Sequence, residues 1–480
     1  MKKYILTYSL IIASLGAFAQ NYTDALRFSR MQNLGTARFN AMGGSFGALG
    51  GDLSAISVNP AATGVYRNSE FTFTTALSIR DNESLYNNSF SQDSRANFNI
   101  GNIGYVGSYK GNQNGWKNYS FAIGHNRYST TGETSLRNIQ PFFADLHIGG
   151  LSIAHNGNLT NALTLREALV KDGAIFRTTS DTETIVQLIA KSTREKFTDK
   201  LIDALFQIQG GYSLILMTNK KLVGVRDPFG IRPLVIGKLK DSYIFASETC
   251  ALDIVGATFV REVENGEIVV VENRELTSKK PFPMQKKRPC IFEYIYFARP
   301  DSLINGKCAY EYRKKLGFEL AKETDVDADL VVPVPDSGVP AAIGYAEQAG
   351  KKFELGLIRN HYVGRTFIEP TQSIRSLGVK LKLSSTKTLV KDKSLILIDD
   401  SLVRGTTCYK IVKMLYESGA KEVHVRIACP EIKYPDFYGV DMPTKEELLA
   451  HVKKIEEMCE YIKAKSLKFL SLKGLYNALI

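Results

Sequence analysis

Apolar positions recur with a period of two at Phe71, Phe73, Leu77 and Ile79, and again at Tyr119, Phe121 and Ile123. That alternation predicts half-buried antiparallel strands. Beyond residue 121 the pattern changes. Leu214 to Met217, Leu330 to Val334 and Leu395 to Ile398 are unbroken apolar runs, as expected of strands buried on both faces. Ile411, Val412 and Leu415 fall at helical spacing, so buried strands and helices alternate and an α/β organisation follows. The basic, proline-interrupted stretch Lys279 to Pro289 (KKPFPMQKKRP) reads as a linker between two α/β units. Thr444 and Glu447 stand at capping-box spacing, which predicts a helix just after them.

The first residues read differently. Lys2 and Lys3 precede an apolar run from Tyr4 to Phe18, and Ala17-Phe18-Ala19 supplies small residues at cleavage spacing. This is the layout of a signal peptide over residues 1–19, too short for a permanent membrane span; a buried N-terminal helix is the alternative. At 480 residues the chain exceeds one core, so two to four domains are expected. Hydrophobic residues at 44% and charged residues at 23% exclude a disordered chain and an unbroken membrane bundle. A formal charge of +12 suits nucleic acid, an anionic membrane or a phosphorylated substrate, or else a basic surface with no specific target. The six cysteines have no metal-ligand spacing and suit a reduced, cytosolic protein, in conflict with the export signal.

The strongest chemical signal is Leu395 to Thr407, LILIDDSLVRGTT. A buried strand delivers Asp399 and Asp400 to its carboxyl end, Ser401 opens a turn, and a helix follows. Ligands of open α/β sheets bind there. Gly405 lets backbone approach a phosphate, and the amides of Arg404, Gly405, Thr406 and Thr407 form a cup for an anion. The paired carboxylates suit ribose hydroxyls or a divalent ion. The run resembles the phosphoribosyl pyrophosphate (PRPP) loop of type I phosphoribosyltransferases. Val332 to Gly338 (VPVPDSG) is a second loop after a strand and would offer Ser337 and backbone amides to pyrophosphate. Arg359 to Ile368 (RNHYVGRTFI) resembles the mobile loop that closes over PRPP, bringing Arg359, His361 and Arg365 to the leaving group.

Residues 121–480 resemble the amidophosphoribosyltransferase family nearly end to end, on segments such as Phe292 to Ser302 (FEYIYFARPDS) and Tyr438 to Pro443 (YGVDMP). The resemblance implies PRPP plus glutamine, or ammonia, giving phosphoribosylamine and pyrophosphate, the first step of purine synthesis. It implies Mg²⁺ near Ser337, Asp399 and Asp400, no nucleic-acid partner, and a homo-oligomer. Some members carry an iron–sulfur cluster. Cys290 matches one ligand position, but Asp436 stands at another and no Cys-x-x-Cys tail follows, so no cluster is expected.

Residues 121–285 resemble most of a class II glutaminase, whose nucleophile is an N-terminal cysteine. Gly124 to Tyr128 would supply Arg127 to the glutamine carboxylate. His155 to Leu159 would supply an oxyanion hole from Asn156 and Gly157, and Thr179-Ser180-Asp181 would place Asp181 on the ammonium. No cysteine precedes Cys250, so the attacking thiol is not encoded and glutaminase activity is not expected. Barrel-like sequence stands in its place. Leu34 to Thr63 resembles the N-terminal region of FadL-type outer-membrane transport proteins, and a membrane transport protein is the rival reading.

The expected fold is therefore multidomain, α/β and α+β: an incomplete N-terminal-nucleophile sandwich, then a type I phosphoribosyltransferase parallel sheet, after a β-rich fragment. The expected bounds are signal peptide 1–19, barrel-like fragment 20–120, partial glutaminase 121–285 and transferase 286–480. A junction is expected between Lys117 and Arg127, made either by gene fusion or by an error of assembly. The enzyme portion suits the cytoplasm.

Overall fold

The computed structural model describes residues 69–86, 89–110, 118–125, 136–360, 383–440 and 444–479. The chain divides into two compact units, Met1–Ala122 and Ile123–Ile480. The first holds a three-stranded sheet in the order β1-β2-β3, with β1 at Glu70–Tyr86, β2 at Ser89–Lys110 and β3 at Asn118–Ile123. β1 and β2 pair antiparallel from Glu70 opposite Val106 to Tyr86 opposite Ser89. The period-two segments are thus strands, with Phe71 and Phe73 both exposed. Residues 1–68, which include the expected signal peptide, lie outside the described residues.

The second unit begins with an antiparallel sheet of six strands, in the order β12-β11-β7-β6-β5-β4. These are β4 (Phe142–Leu146), β5 (Gly149–Leu159), β6 (Gly210–Thr218), β7 (Lys221–Arg226), β11 (Ile268–Glu272) and β12 (Glu275–Lys279). Helices Ala162–Lys171, Thr182–Lys191 and Phe197–Leu205 cover one face, where Ile185, Ile189, Leu201 and Leu205 pack on Ile153, Leu214 and Val225. A smaller sheet of β8 (Val235–Leu239), β9 (Ser242–Ala246) and β10 (Thr258–Glu262) meets it through Phe245, whose ring abuts Gly224 of β7. The helix layer and the large sheet enclose the main apolar core, while the smaller sheet has its own cluster around Val235, Leu252 and Ala257.

The expected linker is mostly exposed, but it is not a free tether. Arg288 N donates to the Phe229 carbonyl at 2.8 Å and Cys290 N to that of Ile231 at 3.1 Å, so the segment is strapped to the preceding domain. Two short hairpin strands, β13 (Leu303–Ile304) and β14 (Lys307–Cys308), then lead into a parallel sheet. Its order is β16-β15-β19-β20-β21, with β15 at Leu330–Pro333, β16 at Lys352–Phe353, β19 at Ser394–Asp399, β20 at Glu422–Ile427 and β21 at Ser466–Phe469. β17 (Leu357–Arg359) and β18 (Leu383–Ser385) form a separate antiparallel pair. Leu395, Ile396, Leu397 and Ile398 are fully buried, as their unbroken apolar run predicts. Ile411, Val412 and Leu415 are the buried stripe of helix Thr406–Glu417.

Helical structure follows Thr444 as expected, but short and without the side-chain cap. Lys445–Glu447 is a single 3₁₀ turn without a Thr444 side-chain cap, and only a four-residue helix, Leu449–Val452, follows. Leu448 is the cause, because its side chain is fully buried and its backbone extended, which interrupts the helix. The cap forms later, where Lys454 N donates to Glu457 Oε2 at 2.8 Å ahead of Ile455–Ile462.

Candidate active sites

Strand order marks the crevice where the expected transferase loops meet. From β15 the chain moves outward to β16, and from β19 it moves the opposite way to β20 and β21. The crevice outside the carboxyl ends of β15 and β19 is therefore the point where winding reverses, the usual ligand position in such sheets. Both expected loops open there. The Ser337 hydroxyl, after β15, donates to the Asp400 carboxylate, after β19. Ser401 Oγ also donates to Asp400 Oδ1, at 2.5 Å, and Asp400 N donates to Asp399 Oδ1 at 2.9 Å. The Pro335–Asp336 peptide is cis.

Burial and the neighbouring Asp400 charge push the Asp399 carboxyl well above its usual range. Burial also raises Asp400, against the hydrogen bonds from Ser337 and Ser401 and the nearby Arg313 guanidinium. Arg313 is buried on helix Ala309–Thr324, where it donates to the carbonyls of Tyr294 and Ala298. Sequence reasoning missed it, because an arginine on a helix carries no signal of its own. Two adjacent carboxylates and a hydroxyl form a hard-oxygen donor set that suits Mg²⁺ shared with substrate phosphates. No described cluster of three His, Cys, Asp or Glu side chains stands ready to hold a metal unaided.

The expected anion cup would be built from backbone. Gly405 caps helix Thr406–Glu417 with φ 74°, and no side chain caps that helix among the described residues. Thr406 and Thr407 are exposed in its first turn. Arg404 pairs with Glu447 at 3.3 Å, and Arg359 pairs with Asp336 of the loop after β15, so both cations flank the crevice. His361 and Arg365 lie outside the described residues.

The second candidate site sits at the end of β5. Asn156 pairs with Ser213 and Gly157 with Tyr212 of β6, which fixes where this strand end lies. Asp181 Oδ2 accepts the Leu159 amide at 2.9 Å and faces His155 Nδ1 at 3.7 Å. Burial opposes ionisation of Asp181, but His155 and the amides of Leu159 and Thr182 outweigh it and hold the carboxyl below its usual value. Gln140 ties this group together, its Oε1 accepting from His155 N at 2.7 Å and its Nε2 donating to Thr182 Oγ1 at 3.1 Å. Gln140 carried no motif and was not anticipated. A cavity of about 270 Å³ opens beside Asp181, lined also by Asn158, Leu159, Arg166 and Phe437. The structure thus brings Asn156, Gly157 and Asp181 into one neighbourhood, while Arg127 lies outside the described residues.

Cys250 is far from this role in chemistry. It is buried, its thiol donates to Glu248 Oε2 at 3.7 Å, and burial with that carboxylate raises its pKa. Cys290 is half-buried, and burial pushes its thiol up to about 11. Asp436, at the other expected ligand position, spends its Oδ1 on the amides of Tyr438 and Val440.

Comparison with known proteins agrees with this geometry. The profile for a glutamine amidotransferase domain matches residues 125–253. The amidophosphoribosyltransferase of Rhizobium etli is 56% identical over 365 residues, covering 75% of this chain and 74% of that protein. A chloroplastic amidophosphoribosyltransferase of Arabidopsis thaliana is 51% identical over 352 residues, and the chain spans 62% of its length. Among solved structures, the glutamine PRPP amidotransferase of B. subtilis in complex with ADP and GMP superposes with a TM-score of 0.70 at 47% identity, covering 76% of this chain and 78% of that one. With an antiparallel sandwich, a parallel sheet whose two loops meet at Ser337 and Asp400, and relatives of this identity, the chain belongs to the amidophosphoribosyltransferase family.

Proposed function

We propose that residues 286–480 transfer the phosphoribosyl group of PRPP to ammonia, giving 5-phosphoribosylamine and pyrophosphate, the opening reaction of purine synthesis. Ammonia attacks the anomeric carbon as the bond to pyrophosphate breaks, and the attacking nitrogen sheds one proton to solvent. Asp399 and Asp400 accept from the ribose hydroxyls and face the positive charge that develops on the ring. The amides of Gly405, Thr406 and Thr407 bind the 5-phosphate, while Arg359 and Arg404 offset the charge of the departing pyrophosphate. Ser337, Asp399 and Asp400 would hold Mg²⁺, which spreads the negative charge of pyrophosphate when bound. The observation that carries this reading is the meeting of Ser337 and Asp400 at the reversal point of the sheet. Its test is pyrophosphate release from PRPP with ammonium chloride, abolished in Asp400→Ala; release that persists in this variant overturns the assignment.

In residues 121–285 we place a glutamine site that binds without hydrolysing. Arg127 takes the carboxylate, Asp181 the ammonium, and Asn156 with the Gly157 amide the side-chain oxygen. Support for its inactivity is the lack of any cysteine before Cys250 and the buried, protonated state of Cys250. The reading includes no iron–sulfur cluster, because Asp436, whose Oδ1 accepts from two backbone amides, stands where a cysteine ligand would be.

The same reading makes residues 1–19 a signal peptide, 20–120 a β-rich outer-membrane fragment, and the chain a composite joined near residue 121. The profile match beginning at residue 125 and the division of the chain at Ala122 support it. The relatives described above give no support to membrane transport. No described helix is long and apolar enough to cross a membrane. The enzyme portion is proposed to work in the cytoplasm, as a homo-oligomer with PRPP and ammonia as partners and no nucleic acid. A long sequencing read through codons 100 to 140 distinguishes a fusion, present in single molecules, from an assembly error, absent from all of them.

A further inference from the structure

The end of β5 is not held by its own domain alone. Asn158 Nδ2 donates to the carbonyl of Phe437 at 2.9 Å, so a turn from beyond β20 reaches across to the segment Asn156-Gly157-Asn158. Gly439 in that turn has φ 103°, and a Cβ there would stand 2.8 Å from the Gly157 carbonyl carbon and 2.7 Å from an Arg232 terminal nitrogen. A Cβ on Gly211, the β6 partner of Asn158, would meet Tyr438 Cβ at 3.2 Å. The turn thus sits on β5 and its neighbour β6 at the point where β5 delivers Gly157.

The turn is itself organised by one side chain. Asp436 Oδ1 accepts from Tyr438 N at 2.8 Å and from Val440 N at 2.9 Å, closing the loop around a single oxygen. Val440 is buried, which anchors its far end. Arg232, against which Gly439 rests, is fixed in turn by a buried 2.7 Å bond to Glu293. Gly157 has no side chain to hold its own orientation, and its φ of 143° leaves that orientation to its neighbours. Hydrogen-bond donors to a developing or fixed negative oxygen work only when held in place, since small displacements forfeit most of their effect.

We propose that the Asp436–Val440 turn is a positioning element for the Gly157 amide and that Asp436 organises it: the carboxylate sets the turn, and the turn sets the strand end. The inference rests on the reading that this strand end receives the glutamine side-chain oxygen. Asp436 acts only through the backbone of its turn and Asn158 through its side-chain bond to Phe437, so both are positioning residues.

The test uses the full chain with Asp436→Ala, Asp436→Asn and Asn158→Ala. Amide hydrogen exchange over residues 155–159 is measured alongside glutamine and PRPP affinities by calorimetry. Asp436→Ala should accelerate exchange in that segment and weaken glutamine about tenfold, roughly the loss of one or two hydrogen bonds, with PRPP affinity within about twofold of the parent. Asp436→Asn keeps an acceptor oxygen and should restore both. Asn158→Ala removes the Phe437 bond while leaving the Asp436 turn, and should reproduce the exchange effect. Unchanged exchange in Asp436→Ala, or no recovery in Asp436→Asn, overturns the proposal. If the parent chain binds no glutamine while the exchange contrast holds, the positioning role stands and the glutamine reading fails.

Discussion

Ser337 donates a hydrogen bond to Asp400, and that bond joins the loops that follow two adjacent parallel strands. β15 and β19 lie side by side although the chain visits β16 and the β17–β18 pair between them. A substrate phosphate and its ribose can therefore be held by both loops at once. Removing Ser337 should matter less than removing Asp400. Ser337→Ala leaves the carboxylate with its Ser401 bond and should lower ammonia-dependent turnover about tenfold. Asp400→Ala should lower it by about 100-fold or more, measured as pyrophosphate release.

Gly405 supplies a separate test of the anion cup. Its φ is 74°, and a Cβ there would stand 2.6 Å from Leu449 Cδ2 and 3.1 Å from Tyr461 Cε1. Gly405→Ala should thus cost about 1–2 kcal/mol in backbone strain alone, with the crowding added to it. PRPP affinity by calorimetry should fall at least about tenfold, while glutamine affinity is unchanged.

Asp227 makes stability depend on pH. It is fully buried, and burial pushes its carboxyl up to about 6, although Phe229, Ile231 and Arg232 donate their amides to it. A carboxyl raised in the folded state adds stability that is complete below the unfolded value of 3.8 and is lost as pH rises through about 6. Between pH 7.5 and pH 5 the parent chain should gain about 1 kcal/mol from this group, a gain that Asp227→Asn lacks. Urea unfolding of both proteins at the two pH values measures it; equal pH dependence would show that Asp227 keeps an ordinary pKa.

Thiol chemistry separates the two halves. Ammonia-dependent turnover should survive brief treatment with iodoacetamide, because Cys250, Cys408 and Cys429 are buried with raised pKa values and the thiolate is the reactive form. Glutamate release from glutamine should be undetectable before and after. Glutamine hydrolysis that the alkylator abolishes would mean that one of the six cysteines acts as the nucleophile.

What could be read from residues alone is local and contiguous. The LILIDDSLVRGTT run announces a buried strand, paired carboxylates and a glycine-led helix start, since all three depend on neighbours within a few positions. The same holds for the missing cysteine, which is a matter of counting. Thr444 shows the limit: a helix follows as its spacing predicts, but the cap does not form and the buried, extended Leu448 breaks the helix into two short pieces. Only the tertiary structure could decide which distant groups meet. That Ser337 reaches Asp400, that Gln140 braces His155, and that Phe437 takes the Asn158 amide all follow from strand order and packing. Such contacts join segments whose separation along the chain carries no periodic signal, and their energies appear only once the core has brought those segments together.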